Sequence, residues 1–496
     1  MMPFIYYQIL KKNFLNLICV FMNKIFLKGI GWSLLDKSIN QFGSIFVSLY
    51  IARLIGPESF GLIGMLTVFI LLSESVLGGF SQALIQKSHD LTEKDSSTVF
   101  YINLCWALFF YLVLYILAPY IAVFYRQPEL INIARVLFLV IFFNSLMVVF
   151  RAQLTIKMDF KSQTLAATYG TAISAIVAIY AAINGYGYWS VVIMLLSKTF
   201  IVLISLFFYS KWLPQLVFSK ESFLSLFKFG SYLMFASILS TLTNNLSVIL
   251  IGRFFNASNV GYFAQATNMS NSASQIITST LQGVTYPLMT SLKHERDKLT
   301  TIYQQLIKIT MCISFPLLIG LAAVSKEVVL LLLGPEWKEV IPLLIALCFA
   351  RSITPISAIN MNILNAIGRS DLFLKIDLCK IPISILAIVI SIPFGITALA
   401  WSMVGTSFLA FFINAYYPYK LFDFGPIQQL KIAKNYIVAT TIMYLCLLFI
   451  HVNTLLFALG LKVLLGMIVY IMVLVLLKDQ LAMKMISIIL LKVRNK

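Results

Sequence analysis

Long apolar runs alternate with short polar gaps along almost the whole chain, and the length of the runs limits what they can be. A helix needs about 20 apolar residues to cross about 30 Å of hydrocarbon. The pattern predicts fourteen crossings, near 31–55, 60–79, 97–118, 131–151, 163–183, 187–209, 227–252, 258–290, 302–324, 338–361, 372–393, 395–418, 435–451 and 455–477. Every second gap is basic, holding Lys87 and Lys94, then Arg151, Lys157 and Lys161, then Lys211, Lys220 and Lys228, then Lys293, Arg296 and Lys298, then Arg369, then Lys420, Lys431 and Lys434. The gaps between offer only Arg53, Arg126, Arg253, Lys326 and Lys338. Basic gaps stay on the cytoplasmic side, so both termini are expected there, and an odd number of crossings would scramble the alternation. Residues 1–30 read as an interfacial amphipathic lead-in, with a start at Met22 as the alternative, and residues 478–496 as a cytoplasmic tail along the inner surface.

The pattern is also duplicated. IARLIGPESFG, from Ile51 to Gly61, returns as IGRFFNASNVG from Ile251 to Gly261, with Arg53 on Arg253 and Gly61 on Gly261. Further on, Pro128-Glu129-Leu130 matches Pro335-Glu336-Trp337, and Asn144-Ser145 matches Arg351-Ser352. After an insertion Asp159 meets Asp371, and Trp189-Ser190 meets Trp401-Ser402. So long a period is no solenoid unit. It predicts two parallel six-helix lobes, 31–209 and 227–418, joined by a cytoplasmic linker at 210–226 and followed by two more helices in 435–477. The expected fold is an all-α integral membrane protein of about fourteen transmembrane helices.

Composition agrees, with 60% of the 496 residues apolar and 11% charged, against about 45–50% and about 25% in soluble domains. A formal charge of +19 would suggest nucleic acid in a soluble chain. Here the cations sit in the gaps and orient helices, so no nucleic-acid partner is expected. Six cysteines show no CxxC spacing and three histidines have no neighbours at ligand spacing, so neither a disulfide framework nor a metal site is expected. The gaps are too short for an extramembrane domain and hold no Asp-x-Asp pair, and no GxxxxGK[ST] occurs. An enzyme is therefore not expected, nor a cofactor. What remains is a transporter driven by its substrate gradient, by an H+ or Na+ gradient, or by a partner.

Polar residues inside apolar runs are costly and tend to face a cavity or a partner. The first helix carries Asp36, Lys37 and Gln41, where pairing of Asp36 with Lys37 at the inner headgroups stands beside a substrate role. Glu74, Lys198 and Arg351 lie deeper, and Arg351 is where the repeats differ, Asn144 being its counterpart. Helix seven holds Asn244 and Asn245, and helix eight Gln265, Asn268, Asn271, Gln275 and Gln282. Amides both donate and accept, which suits a sugar-binding wall. Hydrogen bonding between helices is the other use for them. Arg53 and Arg253 close their helices at the outer surface, either as headgroup anchors or as substrate contacts.

The run WSLLDKSINQFGSIFVSLYIARLIGPESFGLIGM, residues 32–65, resembles the opening of bacterial polysaccharide exporters of the Wzx type, flippases of the multidrug, oligosaccharidyl-lipid and polysaccharide (MOP) superfamily. The resemblance covers about Met22 to Lys478 and implies a MATE-like fold, alternating access, and passage of an undecaprenyl-diphosphate-linked oligosaccharide between leaflets of the bacterial cytoplasmic membrane. Asp36, Lys37 and Arg253 would match functional charges of the related lipid II flippases. The resemblance also implies membrane lipids, a polysaccharide polymerase and glycosyltransferases as partners. Two other readings stay open, a cation-coupled exporter of cationic amphiphiles on the same superfamily plan, and a scaffold subunit of a polysaccharide assembly complex.

Overall fold

The computed structural model describes residues 24–87, 90–450, 452 and 454–483, with the backbone alone for 24–42, 228–229, 283–284, 287 and 370. It is built of helices. In chain order they are α1 (Lys24–Gln86), α2 (Glu93–Tyr125), α3 (Leu130–Leu137), α4 (Leu139–Ile156), α5 (Phe160–Ile183), α6 (Trp189–Ser210), α7 (Lys220–Phe254) and α8 (Ala257–Ser291). Then follow α9 (Arg296–Ala323), α10 (Ser325–Leu332), α11 (Val340–Ser352), α12 (Thr354–Ala366), α13 (Ser370–Ser391), α14 (Ile396–Phe422), α15 (Pro426–Leu448) and α16 (Leu455–Leu476).

The breaks follow from local chemistry. Within α1, Gly56 takes φ 77°, ψ 170° and Pro57 follows, dividing the helix into a first and a second arm. Glycine tolerates that backbone and proline lacks the N–H a continuing helix would use. The duplicated turn solves the same problem differently. There Asn256 is the N-cap of α8, its side chain accepting from the Asn259 N–H at 2.9 Å. Thr92 and Asp95 start α2 with a reciprocal capping box.

Among the described residues eleven segments are long and apolar enough to cross a membrane, one of them, 43–86, containing parts of both arms of α1. The polar α8 falls outside that set, as does α13, which carries Lys375, Asp377 and Lys380. The chain is a multi-pass membrane protein, consistent with the fourteen crossings predicted. The outward faces say the same, since Ile176, Tyr180, Phe208 and Leu476 are each more than two-thirds exposed. Lipid is as apolar as these side chains, so such exposure carries no penalty there.

The helices sort into two compact units, one of residues up to Ile51 with Phe69–Thr241, the other of Ala52–Val68 with residues from Leu242 onward. The first has a core of Phe80, Leu84, Val99, Met147, Phe150, Leu206 and Trp212. Its linker is pinned to the first turn of α2, where Trp212 Nε1 donates to Glu93 (2.6 Å) and the Gln215 and Ser219 amides donate to Ser97 and Thr98. The second unit packs around Tyr303, Ile307, Met311, Ile363 and Tyr436. Buried within it, Tyr303, Asn360 and Gln429 satisfy one another at 2.5–3.1 Å, as buried polar groups must.

Candidate functional site

In the first unit the deep charges gather. Glu74, on the second arm of α1, is exposed and accepts a 2.5 Å hydrogen bond from Asn144 Nδ2 on α4. Arg151, seven residues after Asn144 and so on the same side of α4, lies close enough to act electrostatically on both Glu74 and Lys198. Lys198, half-buried on α6, donates to Ser44 Oγ on the first arm of α1 at 3.3 Å. One carboxylate and two cations, on three helices, thus lie near one another, with Arg151 acting on both of the others. Of the predicted residues, Glu74 and Lys198 are brought together here. Arg151, read from sequence as an ordinary basic-gap residue, belongs with them.

In the second unit the geometry begins at Pro355. Proline has no N–H, so the carbonyl four residues earlier, that of Arg351, has no intrahelical donor. The helix breaks at Ile353 between α11 and α12, and Ser274 Oγ of α8 donates to the Arg351 carbonyl (3.4 Å) while Ser314 Oγ of α9 donates to that of Ser352 (2.7 Å). The break therefore fastens Arg351 against α8. Its half-buried guanidinium has no hydrogen-bond or carboxylate partner among the described residues. Ser274 is the counterpart of Glu74 at the 200-residue offset that relates Gly61 to Gly261. Matching positions of the two repeats thus hold Glu74 with Asn144 in one unit and Ser274 with Arg351 in the other.

Along α8 several hydroxyls are spent on their own helix, Ser272, Thr278 and Thr280 each donating to the carbonyl four residues back. The amides are not. Asn268, Gln275 and Gln282, seven apart, are all exposed, and their side chains have no hydrogen-bond partner among the described residues, whereas Gln265 is buried. Two-turn spacing keeps the three on one stripe of α8. Among the described residues the stripe leaves these donors and acceptors without an interhelical partner.

The other predicted residues are placed as follows. Asn244 is exposed and Asn245 half-buried on α7, both already engaged with neighbours, and half-buried Arg253 closes that helix, also engaged. Asp36, Lys37 and Gln41 lie on the first arm of α1, but their side chains fall outside the described residues, as do His89 and His451. Arg53 has a role that neither sequence reading gave it. Its Nη1 donates to the Leu331 carbonyl at 2.9 Å, capping the last turn of α10. Sequence reasoning also missed a buried ion pair, Lys462 of α16 with Glu327 of α10 at 2.6 Å.

Comparison with known proteins places this architecture. The fold is that of a solved lipid II flippase, MurJ in an inward closed conformation, which aligns with a TM-score of 0.73 at 15% identity over 92% of this chain and all of that one. Residues 50–342, more than half of the chain, match the family described as polysaccharide biosynthesis protein, and the chain belongs to that family. Among its relatives, the succinoglycan biosynthesis transport protein ExoT of Rhizobium meliloti (strain 1021) is 28% identical over 333 residues, 66% of this chain and 67% of that protein. The lipopolysaccharide biosynthesis protein WzxC of Escherichia coli (strain K12) is 24% identical over 374 residues, 73% of this chain and 74% of that protein.

Proposed function

We propose that this chain is a flippase of polysaccharide biosynthesis, carrying a lipid-linked oligosaccharide, with undecaprenyl diphosphate as the lipid, from the inner to the outer leaflet of the bacterial cytoplasmic membrane by alternating access. The observation that carries this reading is Arg351, an intramembrane guanidinium without a protein counter-ion among the described residues. An unpaired cation in an apolar helix is retained at a cost of about 2.5–3.5 kcal/mol on insertion scales. Diphosphate is the part of such a substrate that would offset it, through bidentate N–H···O bonds. The open amides of α8, which Ser274 fastens to Arg351, would take the sugars. Lys198 and Arg151 supply further positive charge in the first unit, and Glu74 beside them is the group able to exchange a proton. Names of the relatives support the substrate class, as transport and lipopolysaccharide biosynthesis proteins. Both termini lie in the cytoplasm, the two repeats act as lobes, and polymerase and glycosyltransferases supply and consume the cargo.

The test is reconstitution. Purified protein in proteoliposomes should move a lipid-linked oligosaccharide to the opposite leaflet and leave a cationic dye untouched. Dye efflux without lipid translocation would replace the proposal with the drug-exporter reading.

A further inference from the structure

Within the first unit, an apolar groove of about 440 Å3 runs down α2 from the linker at residues 211–219. Tyr101, Cys105, Trp106 and Phe109 of α2 form one wall, Phe218 of the linker and Phe223 of α7 the other. Rings pair within each wall, Trp106 with Phe109 at 5.8 Å and Phe218 with Phe223 at 6.5 Å. From Tyr101 to Phe109 the helix rises about 12 Å, less than half of the roughly 30 Å of hydrocarbon. With the termini in the cytoplasm, the groove starts at the inner face and ends within the inner leaflet. Below it the same helix stays exposed at Leu112 and Ile116, so the groove opens sideways into lipid and is out of reach of a soluble protein.

The linker is built to stay at headgroup level. It is irregular, and its Leu213, Leu216 and Phe218 are 67, 93 and 61% exposed. The Gln215 and Ser219 amides are held by Ser97 and Thr98, which keeps the segment on α2 and spares those donors the cost of facing hydrocarbon. Cations stand beside it. Lys94 precedes Tyr101 by seven residues and Cys105 by eleven, so it lies on the same side of α2, and Lys220 precedes Phe223 by three. Both lysines are exposed and have no carboxylate partner among the described residues. Glu93 is engaged with Trp212, and Glu221, two residues before Phe223, points to the other side of α7.

We propose that this groove binds an anionic phospholipid of the inner leaflet. One acyl chain lies along α2 between Trp106 and Phe223, and the phosphodiester headgroup sits on Lys94 and Lys220. Basic side chains at the cytoplasmic surface attract anionic lipid, and the slot below them turns that general attraction into a site. The proposal stands apart from the transport reading, since it concerns a lipid that ties the linker to the bilayer and is not carried.

Native mass spectrometry of the full-length protein in detergent tests it, with dioleoyl phosphatidylglycerol and dioleoyl phosphatidylcholine as probes. The first phosphatidylglycerol should bind at least tenfold more tightly than phosphatidylcholine. Lys94→Gln and Lys220→Gln should each weaken it about fivefold, and Cys105→Trp, which fills the groove, should remove the preference. Should that variant not fold, alkylating Cys105 with a pyrene maleimide, in a chain whose other five cysteines are serine, blocks the groove of protein already folded. Equal affinity for the two lipids overturns the proposal, as does wild-type binding of phosphatidylglycerol by the lysine variants or by the blocked protein. Displacement of the bound phosphatidylglycerol by an equal amount of undecaprenyl phosphate would assign the groove to the substrate's lipid and overturn it too.

Discussion

Arg351 owes its position to a residue four places on, because Pro355 frees the carbonyl that Ser274 then holds. The sequence shows Arg351 as a deep cation whose repeat counterpart is Asn144, and that asymmetry was legible. Its fastening to α8 was not, since a freed carbonyl shows in a sequence but the hydroxyl that will meet it does not. If the guanidinium binds diphosphate, Arg351→Lys should lower transport only in part, keeping a point charge but losing the two-pronged geometry. Arg351→Ala should nearly abolish transport while leaving membrane-inserted protein unchanged. Wild-type transport per folded molecule in the alanine variant would end the binding role. Glu327 and Lys462 behave oppositely. They are 135 residues apart, one read as part of a short outer gap and the other inside a crossing, so nothing in the periodicity links them. Both are buried, and Lys462→Ala would strand the carboxylate at a cost of about 3–5 kcal/mol, whereas replacing both by Leu and Met of similar volume should recover most of it. Thermal unfolding in detergent reads the difference, and equal melting of single and double variants would show that the pair carries no mutual stabilisation.

At the scale of elements, α8 shows how a sequence can state a helix's polarity without its facing. The sequence does not tell its polar residues apart by use; only the structure separates hydroxyls bonded to their own helix from the amides left open, Asn268, Gln275 and Gln282. Because the open amides have no partner among the described residues, Asn268→Leu or Gln275→Leu should leave folding unchanged and reduce transport about 2–10-fold, the worth of one hydrogen bond at about 0.5–1.5 kcal/mol. Unaltered transport in both would remove α8 from the sugar path. The segment after α16 offers a pH-dependent counterpart. Asp479 is buried, which opposes its charge, yet the Ala482 amide, Asn435, Lys308 and Tyr436 outweigh burial and hold its carboxyl below the usual carboxylate range. Unfolded, it would titrate near pH 3.9. The folded pKa is the lower one, so its stabilisation is complete above about pH 4 and is lost as pH falls through the folded value. Asp479→Asn should therefore destabilise at pH 7 and converge with the parent in strong acid, and an unfolding series against pH reads this directly. Parallel curves at all pH values would show that the charge is not what anchors the segment.

For the whole molecule, the legible part is what the bilayer dictates. Hydrocarbon thickness fixes the length of the runs, and the helices appear where the runs lie, including the break at Gly56 that separates two crossings within one long helix. Less legible is which helix packs with which. The second arm of α1 divides between the two compact units, meeting Gly261 at Gly61 in one and Gly230 at Gly79 in the other, and an absent side chain leaves no hydrophobic signature. Orientation, by contrast, is a matter of charge and can be tested without the substrate. From Lys298, in the first turn of α9, to Pro335 run the rest of α9, long enough to cross, and α10, whose eight residues span only about 12 Å and cannot. One crossing separates the two points, so they face opposite compartments. The cluster of Lys293, Arg296 and Lys298 assigns the first to the cytoplasm, because basic gaps resist translocation. A compartment-sensitive reporter fused after Lys298 should read as cytoplasmic, and one fused after Pro335 as external. The reversed pair would invert the whole chain and put both termini outside, while two signals from one side would mean that α9 does not cross and that the pairing of the repeats must be redrawn.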